Sequence, residues 1–406
     1  MKYIIILGDG MADLPIENLG GRTPLQAAKT PCMDELAKRG TAGMVRTIPE
    51  GMPPGSDAAN MSVMGYDPSI YYTGRAPIEA VSMGINLNPS DVAIRCNLST
   101  VSDEPVYENK TMLDFSAGEI PTEQANALIR YLIEHLNEKH MRLYPGISFR
   151  HCLVLGNTAV GTRFTPPHDI MGKPIRPYLP EGLNGTRLTE FQRHSYELLK
   201  DHPINLERKA RYEPAANTCW LWGEGTRPAM KPFKELYGLN AGAACAVDLI
   251  KGLAILTGMK APHIPGATGG KRTDCAAKAR AALRLMDEGC DLVYIHVEAP
   301  DESAHAGDLD CKIEAIEAID RDIVGPVMNC LRKRSEEFRI LLLPDHPTPM
   351  SIRTHTAGPV PFVLYRSDRD TSPHAKAYSE ADCADTELFI PEGPMLMKRL
   401  ISGEFS

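Results

Sequence analysis

Carboxylates and imidazoles recur in this chain where they could share a divalent cation. "DESAH" sets Asp301 and His305 four residues apart, directly after an apolar run. "PDHPTPMSIRTH" supplies Asp345, His346 and, nine residues on, His355, while Asp9 follows the apolar run of "YIIILGDG". Taken singly, each reads more readily as an exposed polar pair or a loop. Taken together, clusters that each lie just beyond an apolar run favour one shared site. Mixed carboxylate oxygen and imidazole nitrogen suit Mn²⁺, Zn²⁺ or Fe better than Ca²⁺, which prefers oxygen alone. Six such side chains exceed what one tetrahedral ion needs. They match two ions about 3.5–4 Å apart, the arrangement used in phosphoryl transfer.

Such a site needs a nucleophile. "GMPPGSDAANMSVMG" offers Ser56, between a Gly/Pro loop and a helix pattern that begins near Asp57. The unpaired N–H groups and dipole of a helix N-terminus favour an alkoxide or a phosphate. From local sequence alone Ser56 reads first as the N-cap of that helix. A cation beside it would lower the hydroxyl pKa and make it a nucleophile. "GATGG" (266–270) lacks the Lys-Ser/Thr of a P-loop and reads as a turn. Lys251 reads as a solvated helix position, and His151 and Asp169 mean nothing by spacing alone.

The elements that must position these groups are legible. "YIIIL" (3–7), "DLVYIHV" (291–297) and "RILLLP" (339–344) read as buried parallel strands. Between the last two, Leu309, Ile313, Ile316, Ile319, Ile323, Val327 and Leu331 recur every three or four residues, one face of a helix. Strand, helix, strand implies an α/β fold with a mostly parallel sheet and helices on both faces. Ligands of such sheets bind at the carboxyl ends of the strands, where the acids fall. Over 90–212 the pattern changes to short strand-like pieces, a helix over 122–140 and a Pro/Gly-rich stretch. This predicts a smaller inserted α+β domain, with the core in 1–89 and 213–406 and the α/β pattern resuming at "ANTCWLWGEG" (216–225).

Composition bounds the partners. A chain of 406 residues with 43% hydrophobic and 24% charged residues has ample material for a core. A net charge of -8 without any Lys/Arg run argues against nucleic acid. No segment is long enough to span a membrane, and the N-terminal apolar run is too short for a signal-peptide core. The ten cysteines contain no CxxC, so neither a zinc ribbon nor a redox dithiol is expected. The expectation is a reduced, cytoplasmic protein acting on a small molecule, of undetermined oligomeric state.

Five stretches, "LGDGMADLP", "PGSDAANMSVMGYDP", "YYTGRAPIEA", "VEAPDESAHAGD" and "PDHPTPMSIRTHTAGPVPF", carry a resemblance over essentially the whole length. The chain closely resembles the archaeal-type cofactor-independent (2,3-bisphosphoglycerate-independent) phosphoglycerate mutases of the alkaline phosphatase superfamily. The resemblance implies an alkaline-phosphatase-like core. One metal would be held by Asp9, Asp345, His346 and the Ser56 oxygen, the other by Asp301, His305 and His355. Mn²⁺ is the usual family ion, with Mg²⁺, Co²⁺ or Zn²⁺ as alternatives, and no 2,3-bisphosphoglycerate is needed. Ser56 would take the phosphoryl group from 3-phosphoglycerate and return it to the other hydroxyl, giving 2-phosphoglycerate, an isomerase step of glycolysis and gluconeogenesis. The insert would act as a lid. His151 and Asp169 match positions that look like the family's substrate contacts in the insert, and Lys251 aligns with the family's phosphate-binding lysine on the core side. Arg208 is suggested by its place before the returning core, and Arg150, Arg163 and Arg176 are available for a carboxylate. Resembling chains also pass phosphate to another alcohol, as a homoserine kinase does, or to water, so metal and serine alone leave the acceptor open.

Overall fold

Runs of leucine and β-branched residues become fully buried strands, because a strand covered on both faces needs apolar side chains at every position. In the computed structural model, which describes residues 1–136 and 138–404, the chain forms two compact units. One is Met1–Tyr72 with Ala229–Ser406, and the other is Thr73–Pro228. The first unit opens with β1 (Lys2–Gly8) and β2 (Thr41–Val45). The second contains β3 (Val92–Val101), β4 (Met112–Asp114), β5 (Met141–Tyr144), β6 (Arg150–Leu155), β7 (Thr162–Arg163), β8 (Glu181–Gly182) and β9 (Thr218–Thr226). The chain then returns to the first unit with β10 (Ala241–Ala244), β11 (Leu292–Val297), β12 (Phe338–Leu343), β13 (Val360–Arg366) and β14 (Phe389–Ile390).

Seven strands of the first unit make one sheet in the order β10-β11-β1-β12-β13-β2-β14. The ladders β10–β11, β11–β1 and β1–β12 are parallel, and β13 runs against both of its neighbours. Leu7 pairs with His296 on one side and with Leu343 on the other. That register levels the carboxyl ends of β11, β1 and β12, so Glu298, Asp9 and Asp345 leave the sheet along one edge.

The helix predicted between β11 and β12 is present as Leu309–Ile319 and Gly325–Lys333, joined by a π turn over Asp320–Val324. Ile316, Ile319, Ile323, Val327 and Leu331 are fully buried, as the spacing predicts. The π turn sits just before Pro326, which has no N–H to offer the preceding turn. Asp320 of that turn accepts from the backbone N–H of Met33 at 2.7 Å and of Cys32 at 3.3 Å, satisfying the start of the Pro31–Arg39 helix.

The second unit is built on an antiparallel sheet in which β3 pairs with β4, β6 and β9, and β6 with β5. Its extent differs from the expected 90–212. β9 pairs with β3 from Ser99↔Thr218 to Val92↔Thr226, so the stretch read as the returning core belongs to this sheet. Cys219 and Leu221 of β9 enter its apolar core beside Leu128 and Phe191. The Arg75–Ser82 helix also belongs here, packing Ala76 and Ala80 on Ala93, Cys152 and Val154. The helix expected over 122–140 runs Thr122–His135, and residue 137 lies outside the described residues. Among the described residues no helix is long and apolar enough to cross a membrane.

Candidate metal centre and nucleophile

All six proposed side-chain ligands and Ser56 meet within the first unit. Asp9 follows β1, Asp301 and His305 stand four apart on the Ala299–His305 helix, and Asp345 and His346 follow β12. Asp9, Asp345 and His346 are fully buried, and Asp301 nearly so. Asp9, Asp345 and His346 offer ligand atoms within 4.8 Å of one another, and so do Asp301, His346 and His355. His305 Nε2 lies 3.1 Å from Asp301 Oδ2 and 2.9 Å from His355 Nε2. His346 stands between the halves, its ring centre 4.0 Å from that of His355.

Ser56 is the first residue of the Ser56–Val63 helix, with Gly55 as the N-cap and no side-chain cap bond. The hydroxyl therefore does not cap the helix, as local sequence suggested. Its Oγ lies 3.0 Å from His346 Nε2. One turn on, Asn60 Nδ2 donates to the Ser56 carbonyl and to Asp345 Oδ2, each at 2.8 Å. Tyr294 of β11 donates to Asn60 Oδ1 at 2.5 Å, which fixes the amide's orientation.

Thr348 joins the two halves. Its single hydroxyl proton goes to Asp301 Oδ1 at 2.6 Å, so at 3.2 Å it accepts from His346 Nδ1–H. That leaves the His346 Nε2 lone pair for Ser56 or a cation. The loop holding Thr348 is anchored by the buried Lys312, which donates to Asp13 at 2.7 Å and to the Thr348 carbonyl at 2.9 Å.

These residues fit divalent cations. Asp9 Oδ1 is buried and accepts no hydrogen bond. Burial, then the charges of Asp345, Glu298 and Asp301, push the Asp9 carboxyl well above its usual range. A cation relieves both penalties. Asp301 goes the other way: burial raises it, but hydrogen bonds from His305 and His355 hold it well below the usual range. Its hydrogen bond in turn raises His305 to about 9. His305 also donates from Nδ1 to the Arg353 carbonyl at 2.9 Å.

To ligate a metal through Nε2, His305 must lose the proton held there by Asp301. A raised pKa means that the proton competes with the ion at all pH values below about 9. Affinity of one Mn²⁺ is therefore expected to fall about tenfold per pH unit below that value and to level above it. Calorimetric titration of the chelator-treated protein between pH 6.5 and 9.5 checks this. Affinities for both ions that do not change with pH across the range would exclude His305 as a ligand.

The residues suggested as substrate contacts are placed differently. Arg208 is buried, its guanidinium donating to the Pro214 and Ala117 carbonyls and to Gln124 at 2.8–2.9 Å, with Glu213 at 3.3 Å. It is a structural tie within the second unit. His151 pairs in register with Cys96, which faces the helix-covered core of that unit, and its Nδ1 accepts from Gly146 N–H at 3.0 Å. Burial takes its pKa down to about 3, so it is neutral there. Asp169 is exposed on the short Pro167–Ile170 turn beside His168. Lys251 lies half-buried on the Asp248–Leu256 helix, where its charge acts on the Cys245 thiol just past β10. Arg163 pairs with Glu181 and Arg176 with Asn109.

Sequence reasoning missed Asn60, Thr348, His296 and Glu298. Asp9, His296 and Glu298 also bring ligand atoms within 4.8 Å of one another. Asn60 was in principle findable, because a residue four after Ser56 shares its helix face. Thr348 and His296 depend on which strands are neighbours, and no local pattern encodes that.

The family model for 2,3-bisphosphoglycerate-independent phosphoglycerate mutase matches residues 37–205. The chain is 45% identical over 405 residues to the protein of that name from Methanosarcina barkeri, covering 100% of both. It is 49% identical to the Methanosarcina acetivorans protein over 91% of each chain. The solved cofactor-independent phosphoglycerate mutase of Thermoplasma acidophilum superposes with a TM-score of 0.64 at 27% identity, covering 99% of both chains. A Pyrococcus horikoshii protein superposes at 0.82 with 28% identity, over 99% of this chain and 96% of that one. With relatives this similar along the whole length, the chain belongs to the 2,3-bisphosphoglycerate-independent phosphoglycerate mutase family.

Proposed function

We infer that the protein interconverts 3-phosphoglycerate and 2-phosphoglycerate through a phosphoserine at Ser56, with two divalent ions, Mn²⁺ expected, held by Asp9, Asp345, His346, Asp301, His305 and His355. The observation that carries this is the Ser56 hydroxyl, 3.0 Å from His346 Nε2 and at the first residue of a helix. The ions would supply charge neutralisation for the transferring phosphoryl group. Ser56 Oγ attacks phosphorus in line, the bond to the glycerate 3-oxygen breaks, and the proton lost from Ser56 ends on that oxygen. Helix N–H groups favour the negative charge that gathers at this position. In the return step the glycerate 2-hydroxyl attacks the phosphoserine, releasing Ser56 with its proton restored. Asn60 and Thr348 keep Asp345 and His346 aimed throughout. Water must stay out while the phosphoserine exists, or the enzyme hydrolyses its substrate. That role is the one expected of the Thr73–Pro228 unit.

The test is ³¹P NMR of 3-phosphoglycerate with Mn²⁺ and no bisphosphoglycerate. A 2-phosphoglycerate signal growing to equilibrium is expected. Free phosphate as the sole product would identify a phosphatase. No reaction, followed by phosphorylation of homoserine with ATP, would withdraw the glycerate substrate.

A further inference from the structure

The six proposed ligands are not equally sheltered. Asp9, Asp345 and His346 are fully buried, whereas the His305 side chain is 36% exposed and that of His355 19%. The centre therefore meets solvent on the His305 side. Basic residues from two loops stand there, and the scheme above leaves them unused.

Arg353 is the first. It lies two residues before His355 and has φ 55°, a left-handed backbone that a non-glycine residue adopts at a cost. Its carbonyl accepts the His305 Nδ1–H at 2.9 Å, so this backbone is tied to a proposed ligand. The Arg353 guanidinium rests on Gly307, where a Cβ would stand 2.5 Å from Cζ. Gly307 is itself left-handed at φ 71°, so glycine serves both the turn and the close approach. Asp308 follows, and its Oδ2 accepts from Lys271 Nζ at 3.0 Å. The Lys271 hydrogen bond first, then the Cys311 N–H and the charges of Lys271 and Arg272, hold the Asp308 carboxyl below its usual range. Among the described residues neither the Arg353 nor the Arg272 guanidinium has an ion-pair partner. Lys271, Arg272 and Arg353 thus gather at the end of the Ala299–His305 helix, which carries Asp301 and His305. Asp308 and Glu302, whose charge also acts on His305, are the acids beside them. A chain of net charge -8 is cationic where its metal centre opens.

We propose that Lys271, Arg272 and Arg353 form a cationic rim that draws a phosphorylated carboxylate to the Ser56 centre. This rests on the mutase reading and adds to it a means of substrate capture. Both ends of 3-phosphoglycerate are anionic at neutral pH. The field of the rim raises its local concentration, and salt screens that field over a Debye length of about 8 Å at physiological ionic strength. The rim acts on capture rather than on the chemical step. It lowers KM and leaves kcat to Ser56 and the ions.

The experiment compares mutase kinetics at saturating Mn²⁺, from low to high ionic strength, for three proteins. They are the wild type, the double variant Lys271→Gln with Arg272→Gln, and Asp308→Asn. At low salt the double variant should show a KM raised roughly 3- to 10-fold with kcat unchanged, and kcat/KM that falls less steeply with salt. Asp308→Asn should lower KM. Asparagine still caps the Leu309–Ile319 helix, where Asp308 accepts the Cys311 N–H at 3.2 Å. Damage to the fold would not improve capture, so the opposite signs separate charge from structure. The calorimetric Kd of 3-phosphoglycerate, measured in a Ser56→Ala background, should move as KM does. A KM that is the same in all three proteins, or a fall in kcat alone, overturns the rim and leaves the mutase reading intact. A wild type inert toward 3-phosphoglycerate overturns the mutase reading, and the rim's substrate with it. Asp308→Asn decides even if the double variant does not fold.

Discussion

Ser56→Ala is expected to lower turnover of 3-phosphoglycerate by about 10⁴-fold or more, the scale of losing a nucleophile that works as part of a unit. The fold should not suffer. Ser56 does not cap its helix with its side chain, so alanine at this helical position removes no cap. The side chains of Asp9, Asp345, His346, Asp301, His305 and His355 all remain, so both ions should still bind. Phosphorus NMR for turnover and mass spectrometry for metal content separate the two effects. Wild-type turnover in the variant would end the phosphoserine mechanism. A variant that had lost its ions would instead show that Ser56 contributes more to metal binding than to attack.

Asp345→Asn is the second large effect. Asp345 Oδ1 accepts from the N–H of Gly10 at 3.1 Å and of His346 at 2.9 Å, and Oδ2 accepts from Asn60 at 2.8 Å. Each of these hydrogen-bond partners is a donor, so a side-chain amide must point its NH₂ at another N–H whichever way it is turned. The change also removes the charge of a proposed ligand outright. Affinity for one ion should fall by more than the ~10–100-fold that follows loss of a ligand's hydrogen-bond partner. Turnover at limiting Mn²⁺ should fall at least as far, with partial recovery at high Mn²⁺. Titrating activity against Mn²⁺ for both proteins measures this, and superimposable curves would remove Asp345 from the ligand set.

The core sheet was legible because its strands are covered on both faces and so read as unbroken apolar runs ending in acids. The seven central residues came from the same feature together with the resemblance. What the sequence hid has physical reasons. β9 reads as a returning core strand because its "CWLW" run is apolar, yet its partner is β3, and pairing between distant strands leaves no local mark. Arg208 stands out in sequence only by its place before the expected return of the core, but its donors are taken by Pro214, Ala117 and Gln124. His296 was overlooked inside an apolar strand. Only the register that brings it level with Leu7 reveals it as a neighbour of Asp9.

Asp9, Asp301 and Asp345 are 0%, 3% and 0% exposed, an arrangement the native chain adopts at some cost and the unfolded chain does not share. Where these carboxylates hold the proposed ions, folding is tied by mass action to the free concentration of divalent ion. Each ion that binds only the native state adds about 2.7 kcal/mol of stability at a hundred times its dissociation constant. When the ion becomes scarce, the population of unfolded, protease-sensitive chains rises while the remaining enzyme is losing its ions. Metal supply then sets both how fast each molecule turns over and how many molecules survive.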